Sequence, residues 1–168
     1  TAMGKAIGGG FPVGAIAGRR EVMDVMNPLA EKVLFPHSGT FSANPITMIA
    51  GFTAMKLFDG KAIERLNTLT LRAIHGIEEA IEETGATACV TGAGSLFRIH
   101  MKKDAPKNFR EAYLTEKENA KLKVLLDHLY DEGFLMINTC SAALSTPMTE
   151  TEIDALVDAV KSGLQQLK

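Results

Sequence analysis

Gly4-Lys5-Ala6-Ile7-Gly8-Gly9-Gly10-Phe11-Pro12-Val13-Gly14-Ala15 is where the chain's chemistry and its fold class meet. Residues 1–18 hold six of the 15 glycines together with Pro12, so no continuous helix runs through them, and tight turns around a group that approaches the backbone closely are expected. A lysine among glycines raises the question of a phosphate cradle. The P-loop needs a glycine five residues before its Gly-Lys pair and a Ser or Thr after it, and Ala6 stands in that last place. A dinucleotide fingerprint fails as well, because Pro12 interrupts the helix it requires and the glycine spacing differs. The remaining chemical reading of Lys5 is a nucleophilic amine. A lysine held in a dry, partly cationic pocket loses its proton readily and condenses with an aldehyde to a Schiff base, and adjacent glycines would let a flat cofactor lie against the backbone. The alternative is a solvated lysine beside a flexible loop, and spacing alone leaves both open.

Outward from this stretch, composition sets the bounds. The chain has 168 residues, with 18 Lys and Arg against 20 Asp and Glu and 46% hydrophobic residues, which is ordinary for a globular protein large enough to bury a core. With a net charge of −2 and no basic run, the electrostatic footprint of a nucleic-acid or membrane-surface binder is missing. Two distant cysteines, Cys89 and Cys140, indicate neither a zinc site nor a disulfide framework, so no metal is expected. No apolar run reaches the roughly 18 residues that span a bilayer. The expectation is a cytoplasmic protein without membrane or nucleic-acid partners.

Periodicity then gives the elements. Residues 19–26 read as a short helix stopped by Asn27-Pro28, and residues 34–43 as irregular. From Asn44-Pro45 to Leu57 the pattern is helical and apolar nearly all round, which predicts burial. Residues 62–83 form an amphipathic helix stopped by Gly85. The period then drops to two: strands over 87–91 and 96–101 around a Gly92-Ala93-Gly94 turn, and a third strand over 134–137. Residues 102–113 read as a loop and 116–131 as a helix. Thr149 and Glu152 make a capping box ahead of a last amphipathic helix carrying Ile153, Leu156, Val157, Val160 and Leu164. From about residue 60 the sum is an α+β unit with its own core.

Lys5 with Ile7-Gly8-Gly9-Gly10-Phe11-Pro12-Val13-Gly14-Ala15 resembles the cofactor-lysine motif of the class III aminotransferases of pyridoxal phosphate fold type I, most nearly that of the glutamate-1-semialdehyde 2,1-aminomutases and their relatives. Gly39-Thr40-Phe41-Ser42-Ala43-Asn44-Pro45 resembles that family's G-T-[FL]-x-[GA]-N-P segment, and Thr40 follows Lys5 by 35 residues. Gly94-Ser95-Leu96-Phe97 and Leu144-Ser145-Thr146-Pro147 extend the resemblance more loosely. It implies an α/β plus α+β chain, the C-terminal part of a fold type I enzyme. Residues 1–55 would close the large cofactor domain and 56–168 would form the small C-terminal α+β domain. It also implies that Lys5 binds pyridoxal 5′-phosphate covalently and moves a proton to and from a small amino-acid substrate. Gly39 and Thr40 would contact the cofactor phosphate from the neighbouring subunit of a homodimer. The aspartate, aromatic ring and phosphate loop that complete such sites precede the lysine in this family. Residues 138–146 contain no acidic residue where the aminomutases usually carry a glutamate, which leaves open a related aminotransferase acting on another amino acid or amine. A non-catalytic fragment or dimerisation module is the competing expectation.

Other candidates rank lower. His37 is unassigned beside the Thr40 segment; His75 and His128 are expected at the surface; Arg98 and His100 are expected to face solvent or an interface from a strand. Arg19 and Arg20 read as solvated, Cys140 lacks a base that would make it a nucleophile, and the eight methionines read as core.

Overall fold

The structure is a computed structural model that describes residues 1–167. The chain divides after Asp59 into two compact units.

In the first unit, strands β1 (Ala2–Gly4) and β2 (Gly14–Ile16) pair antiparallel, with Gly4 opposite Gly14. Between them the chain makes a 3-10 turn, Lys5–Gly8. Helix α1 (Arg20–Met23) and a second 3-10 turn (Asp24–Met26) follow, stopping where Asn27-Pro28 disfavours helical backbone. Helix α2 (Pro45–Leu57) begins where the sequence places it. The Asn44 side-chain oxygen accepts from the N–H groups of Ile46 at 3.0 Å and Thr47 at 3.3 Å, and Pro45 occupies a first-turn position that needs no donor.

The burial expected of α2 is not observed. Thr47 and Gly51 are its buried residues, while Ile46, Ile49, Phe52 and Leu57 are exposed. All-round apolarity announced a helix meant to be covered, but this chain supplies cover on only a narrow face.

The second unit, beginning at Gly60, carries the core. Helix α3 (Gly60–Thr84) buries Leu66, Leu69, Ala73, Ile77 and Ala80 at helical spacing and turns its charges outward. It packs against the last helix, α6 (Glu150–Gln165), whose Ile153, Leu156, Val160 and Leu164 enter the same cluster. Gly76 permits the close approach, since a Cβ there would lie 2.8 Å from Val157 Cγ2. Arg72 Nε and Nη2 donate to the Asp154 carboxylate at 2.6 and 2.8 Å across the outer rim. The capping box at Thr149 and Glu152 is present, and a second, Thr115 with Glu118, starts α5 (Glu116–Asp131).

The sheet has the order β3-β4-β5, all antiparallel: β3 (Cys89–Ala93), β4 (Leu96–His100) and β5 (Ser141–Ala143). Two details correct the expectation. The turn is Gly94-Ser95, with left-handed Gly94 at φ +61°, and Gly92 lies within β3, where a Cβ would meet Ile74 Cδ1 at 2.7 Å. The third strand is not 134–137. Phe134 N–H donates to Leu129 C=O at 2.7 Å, closing the end of α5 after Gly133, and Cys140 N–H donates to Ile137 C=O at 2.8 Å. That segment's alternation is real, with Phe134 and Met136 half-buried and Leu135 and Ile137 exposed, but it runs without a strand partner. A short helix, α4 (Phe109–Ala112), interrupts the expected loop before α5.

Candidate active site

Lys5 sits where β1 ends and the 3-10 turn begins, and its side chain is exposed. Its backbone is left-handed, φ +56°, one of three non-glycine residues so placed among those described. That conformation costs an L-residue about 1–2 kcal/mol and persists only where the surroundings over-determine it. Two constraints act here. Upstream, Gly4 is held in the β1–β2 ladder. Downstream, the turn closes with Gly9 N–H donating to Ala6 C=O at 3.1 Å, Gly9 itself left-handed at φ +59°. Among the described residues no ion pair or hydrogen bond uses the Lys5 amine.

The glycines have a packing explanation the sequence alone did not supply. What approaches their backbone is helix α2: a Cβ on Gly9 would fall 2.4 Å from Ala50 O, and a Cβ on Gly51 2.3 Å from Ile7 O. A Cβ on Gly8 would lie 2.7 Å from Val13 Cγ1. Gly10 and Gly14, by contrast, border open space, which leaves room on that side of the turn for a flat group. Gly51 was missed. Its signal was a glycine inside an otherwise apolar helix, a position that costs about 1 kcal/mol against alanine unless something needs the space.

Thr40 lies in an exposed turn whose Ser42 N–H donates to Gly39 C=O at 3.0 Å. The Thr40 hydroxyl and the Gly39 and Thr40 N–H groups take part in none of the hydrogen bonds of the described residues, so three donors stand free for an anion. The turn runs through left-handed Ala43 into the Asn44 cap of α2. Lys5 and Thr40 are therefore both tied to one helix at different levels: the Thr40 turn at its start, the lysine turn at Ala50 and Gly51, about 9 Å along the axis from Pro45. No described hydrogen bond joins the two segments.

The remaining histidines and charges resolve individually. His37 is exposed, and so is His75, which faces Glu79 one helical turn on at 3.3 Å. His128 is half-buried, Nε2 against Ser162 Oγ at 2.8 Å and Nδ1 against Gln166 Nε2 at 2.9 Å, so it clamps α5 to α6 and is not the surface residue expected. His100 also departs from expectation, because it is 5% exposed. It stands opposite Cys89 at the end of β4, with Nε2 at 2.9 Å from Thr91 Oγ1 and Nδ1 buried without a partner. Burial first, then the positive charges of Arg98 and Lys102, hold its pKa below the usual histidine value. Arg98 donates from Nε to Thr139 C=O at 3.1 Å, a structural bond. Burial pushes the Cys140 thiol up to about 12, which makes it inert as a nucleophile. Arg19 pairs with Glu21 in solvent, as expected.

The sequence matches the family model described as Aminotransferase class-III over residues 1–164. The chain belongs to the class III aminotransferase family. It is 36% identical to the glutamate-1-semialdehyde 2,1-aminomutase of Akkermansia muciniphila over 99% of this chain and 39% of that protein. Among solved structures it matches an omega-transaminase from Sphaerobacter thermophilus at 42% identity and a TM-score of 0.94, over 99% of this chain and 38% of that one. A transaminase with PLP bound matches at 36% identity and a TM-score of 0.84, over the same shares of the two chains. This class III chain thus spans about two-fifths of the length of the relatives it matches, and its fold is that of the corresponding part of a fold type I aminotransferase. No helix among the described residues is long and apolar enough to cross a membrane.

Proposed function

We propose that this chain contributes the cofactor lysine and a phosphate-binding corner to a pyridoxal 5′-phosphate-dependent amino-group transferase acting on a small amino acid or amine. The observation that carries the reading is the left-handed Lys5, fixed between a glycine-paired strand and a turn wedged on α2, with its amine unengaged. The residues fit the group: a primary amine for the aldehyde, open space beside Gly10 and Gly14 for a flat ring, and a hydroxyl and two N–H donors at Gly39 and Thr40 for a phosphate dianion. When bound, the cofactor supplies an electron sink for the carbon that carries the transferred amine. Lys5 would hold it through Nζ and, when that nitrogen is free, accept and return a proton at the reacting carbon. Gly39 and Thr40 would hold the phosphate and fix its orientation. Thr40 would do so for the neighbouring subunit of a homodimer, a reading supported by the exposed Phe41 beside it and the outward apolar residues of α2. Residues 1–55 are read as the end of the large cofactor domain, and 56–168 as the small α+β domain.

The reaction proposed first is the aminomutase type, supported by the Akkermansia relative; the 42% identity to an omega-transaminase supports transfer to a different acceptor as the second. Two assays separate them. Glutamate 1-semialdehyde converted without an added amino acceptor supports the first, and turnover only with an amine and a keto acid supports the second. For the lysine itself, borohydride reduction of the holoenzyme followed by peptide mass mapping should place the cofactor on Lys5. Lys5→Ala should abolish the visible band and lower turnover by about a thousandfold or more. A band unchanged in Lys5→Ala would remove Lys5 from its role.

A further inference from the structure

We infer that Gly51 is a positioning residue for Lys5: the α2 backbone at Ala50 and Gly51 is the anvil against which the lysine turn is pressed into its left-handed shape. The inference rests on Lys5 being the cofactor anchor and adds what holds it there. The contact is reciprocal. A Cβ on Gly51 would stand 2.3 Å from Ile7 O, 3.3 Å from Ile7 C and 3.5 Å from Gly8 Cα, and a Cβ on Gly9 would stand 2.4 Å from Ala50 O. All of those atoms are backbone, so no side chain can swing aside, and a methyl at Gly51 must displace either the turn or the helix. Helix α2 is capped by Asn44, and Gly51 is one of its two buried residues. Alanine strengthens a helix where glycine weakens it. The turn is short and already carries a strained residue at its start, Lys5 at φ +56°, and it closes on the left-handed Gly9 at φ +59°. The helix therefore stays and the turn yields. Ile7 lies two residues from Lys5, so a push there unloads the constraint that keeps Lys5 left-handed, and the amine moves.

The test compares holoenzymes of the wild type, Gly51→Ala, Gly60→Ala and Lys5→Ala. Gly60 is the control, since a Cβ there meets nothing within 4 Å. Three quantities are read: the rate of cofactor loss on dialysis, the pH midpoint of the visible band of the lysine-bound cofactor, and the melting temperature of the cofactor-free protein. Gly51→Ala should lose cofactor at least tenfold faster and show a displaced pH midpoint, while its cofactor-free form melts at or above the wild-type temperature; Gly60→Ala should match the wild type throughout. A wild-type band and retention in Gly51→Ala would overturn the inference. So would a Gly51→Ala protein that fails to fold or melts earlier without cofactor, because the helix would then have yielded in place of the turn. A band surviving in Lys5→Ala would instead overturn the reading of Lys5 itself, so the two failures are distinguishable.

Discussion

Leu125 and Phe52 are both large apolar residues near the middle of a helix, yet Leu125 is 0% exposed and Phe52 is 65% exposed. The contrast holds for the two units as wholes. Every buried large apolar side chain among the described residues belongs to the second unit, whereas the first buries Gly8, Thr47 and Gly51 and leaves Phe41, Ile46, Ile49 and Leu57 outside. The difference teaches that apolar content and self-sufficiency are separate properties. The second unit closes its own core between α3, α5, α6 and the sheet. The first is closely packed where backbone meets backbone and open where side chains need another surface. The sharpest way to break the comparison is a pair of truncations in the purified chain. Leu125→Ala should cost about 2–5 kcal/mol in denaturant unfolding through transfer and cavity effects. Phe52→Ala should stay within about 0.5 kcal/mol, as exposed substitutions do. Comparable losses at the two positions would mean that α2 is covered after all.

A smaller effect sharpens the role of helix glycines. Gly163 in α6 faces α5, where a Cβ would meet Leu125 Cδ1 at 2.7 Å and His128 Cδ2 at 2.8 Å. Alanine there gains helix propensity but overpacks a closed core, and the balance is a loss on the order of 1 kcal/mol. Unlike the Gly51 contact, this one involves side-chain tips, so the structure can adjust around it. A thermal melt in which Gly163→Ala is more stable than the wild type would show that α5 and α6 separate easily.

The caps provide the next step down. Thr149→Ala removes the hydroxyl that accepts from Thr151 N–H at 3.3 Å and breaks the box with Glu152, in a helix that carries five core residues; about 1 kcal/mol should be lost. Asn44→Ala removes an equally well-formed cap, yet α2 frays without exposing a core. Its effect on global unfolding should be under about 0.5 kcal/mol, while helical circular dichroism falls slightly. Equal effects would place α2 in the same cooperative unit as α6.

Much of this was legible in the residues because it is local. The Thr149 box, the Asn44-Pro45 start and the stripe of Leu66, Leu69 and Ile77 are signals confined to a few turns, and the structure has them. The family was legible because Lys5 and Thr40 sit in two ordered motifs. What failed required knowledge of the partner surface. Residues 134–137 alternate like a strand, but whether they pair depends on where Leu129 C=O and Cys140 lie. His100 alternates with Ile99 like an outward residue, but the end of β4 turns both inward. The glycines at 8–10 promised a ligand, and the space they leave is mostly taken by Val13 and by α2, which is encoded at Ala50 and Gly51, some 40 residues away in sequence.

The smallest expected effect is one of pH, and it too belongs to the second unit. His100 is the buried histidine, and its surroundings, with Arg98 and Lys102 nearby, hold its pKa below the reference value of 6.5. The unfolded chain therefore binds a proton at His100 that the folded chain refuses. Unfolding free energy rises with pH wherever the unfolded state holds more protons, so this contribution is present above about 6.5 and is lost as pH falls from there toward the folded value. Glu118, Glu152 and Asp154, held below their ordinary values by Thr115 and Lys102, by Thr149 and by Arg72 respectively, act in the same direction in a lower window, beneath about 4.5. Melting temperatures taken at half-unit steps from pH 7.5 to 5.5 should decline for the wild type and decline less for His100→Gln, whatever the absolute stability of the variant. Identical slopes would show that the imidazole takes up its proton inside the fold, with Nδ1 finding a carbonyl or water as partner, and that its burial at the end of β4 does not refuse the charge.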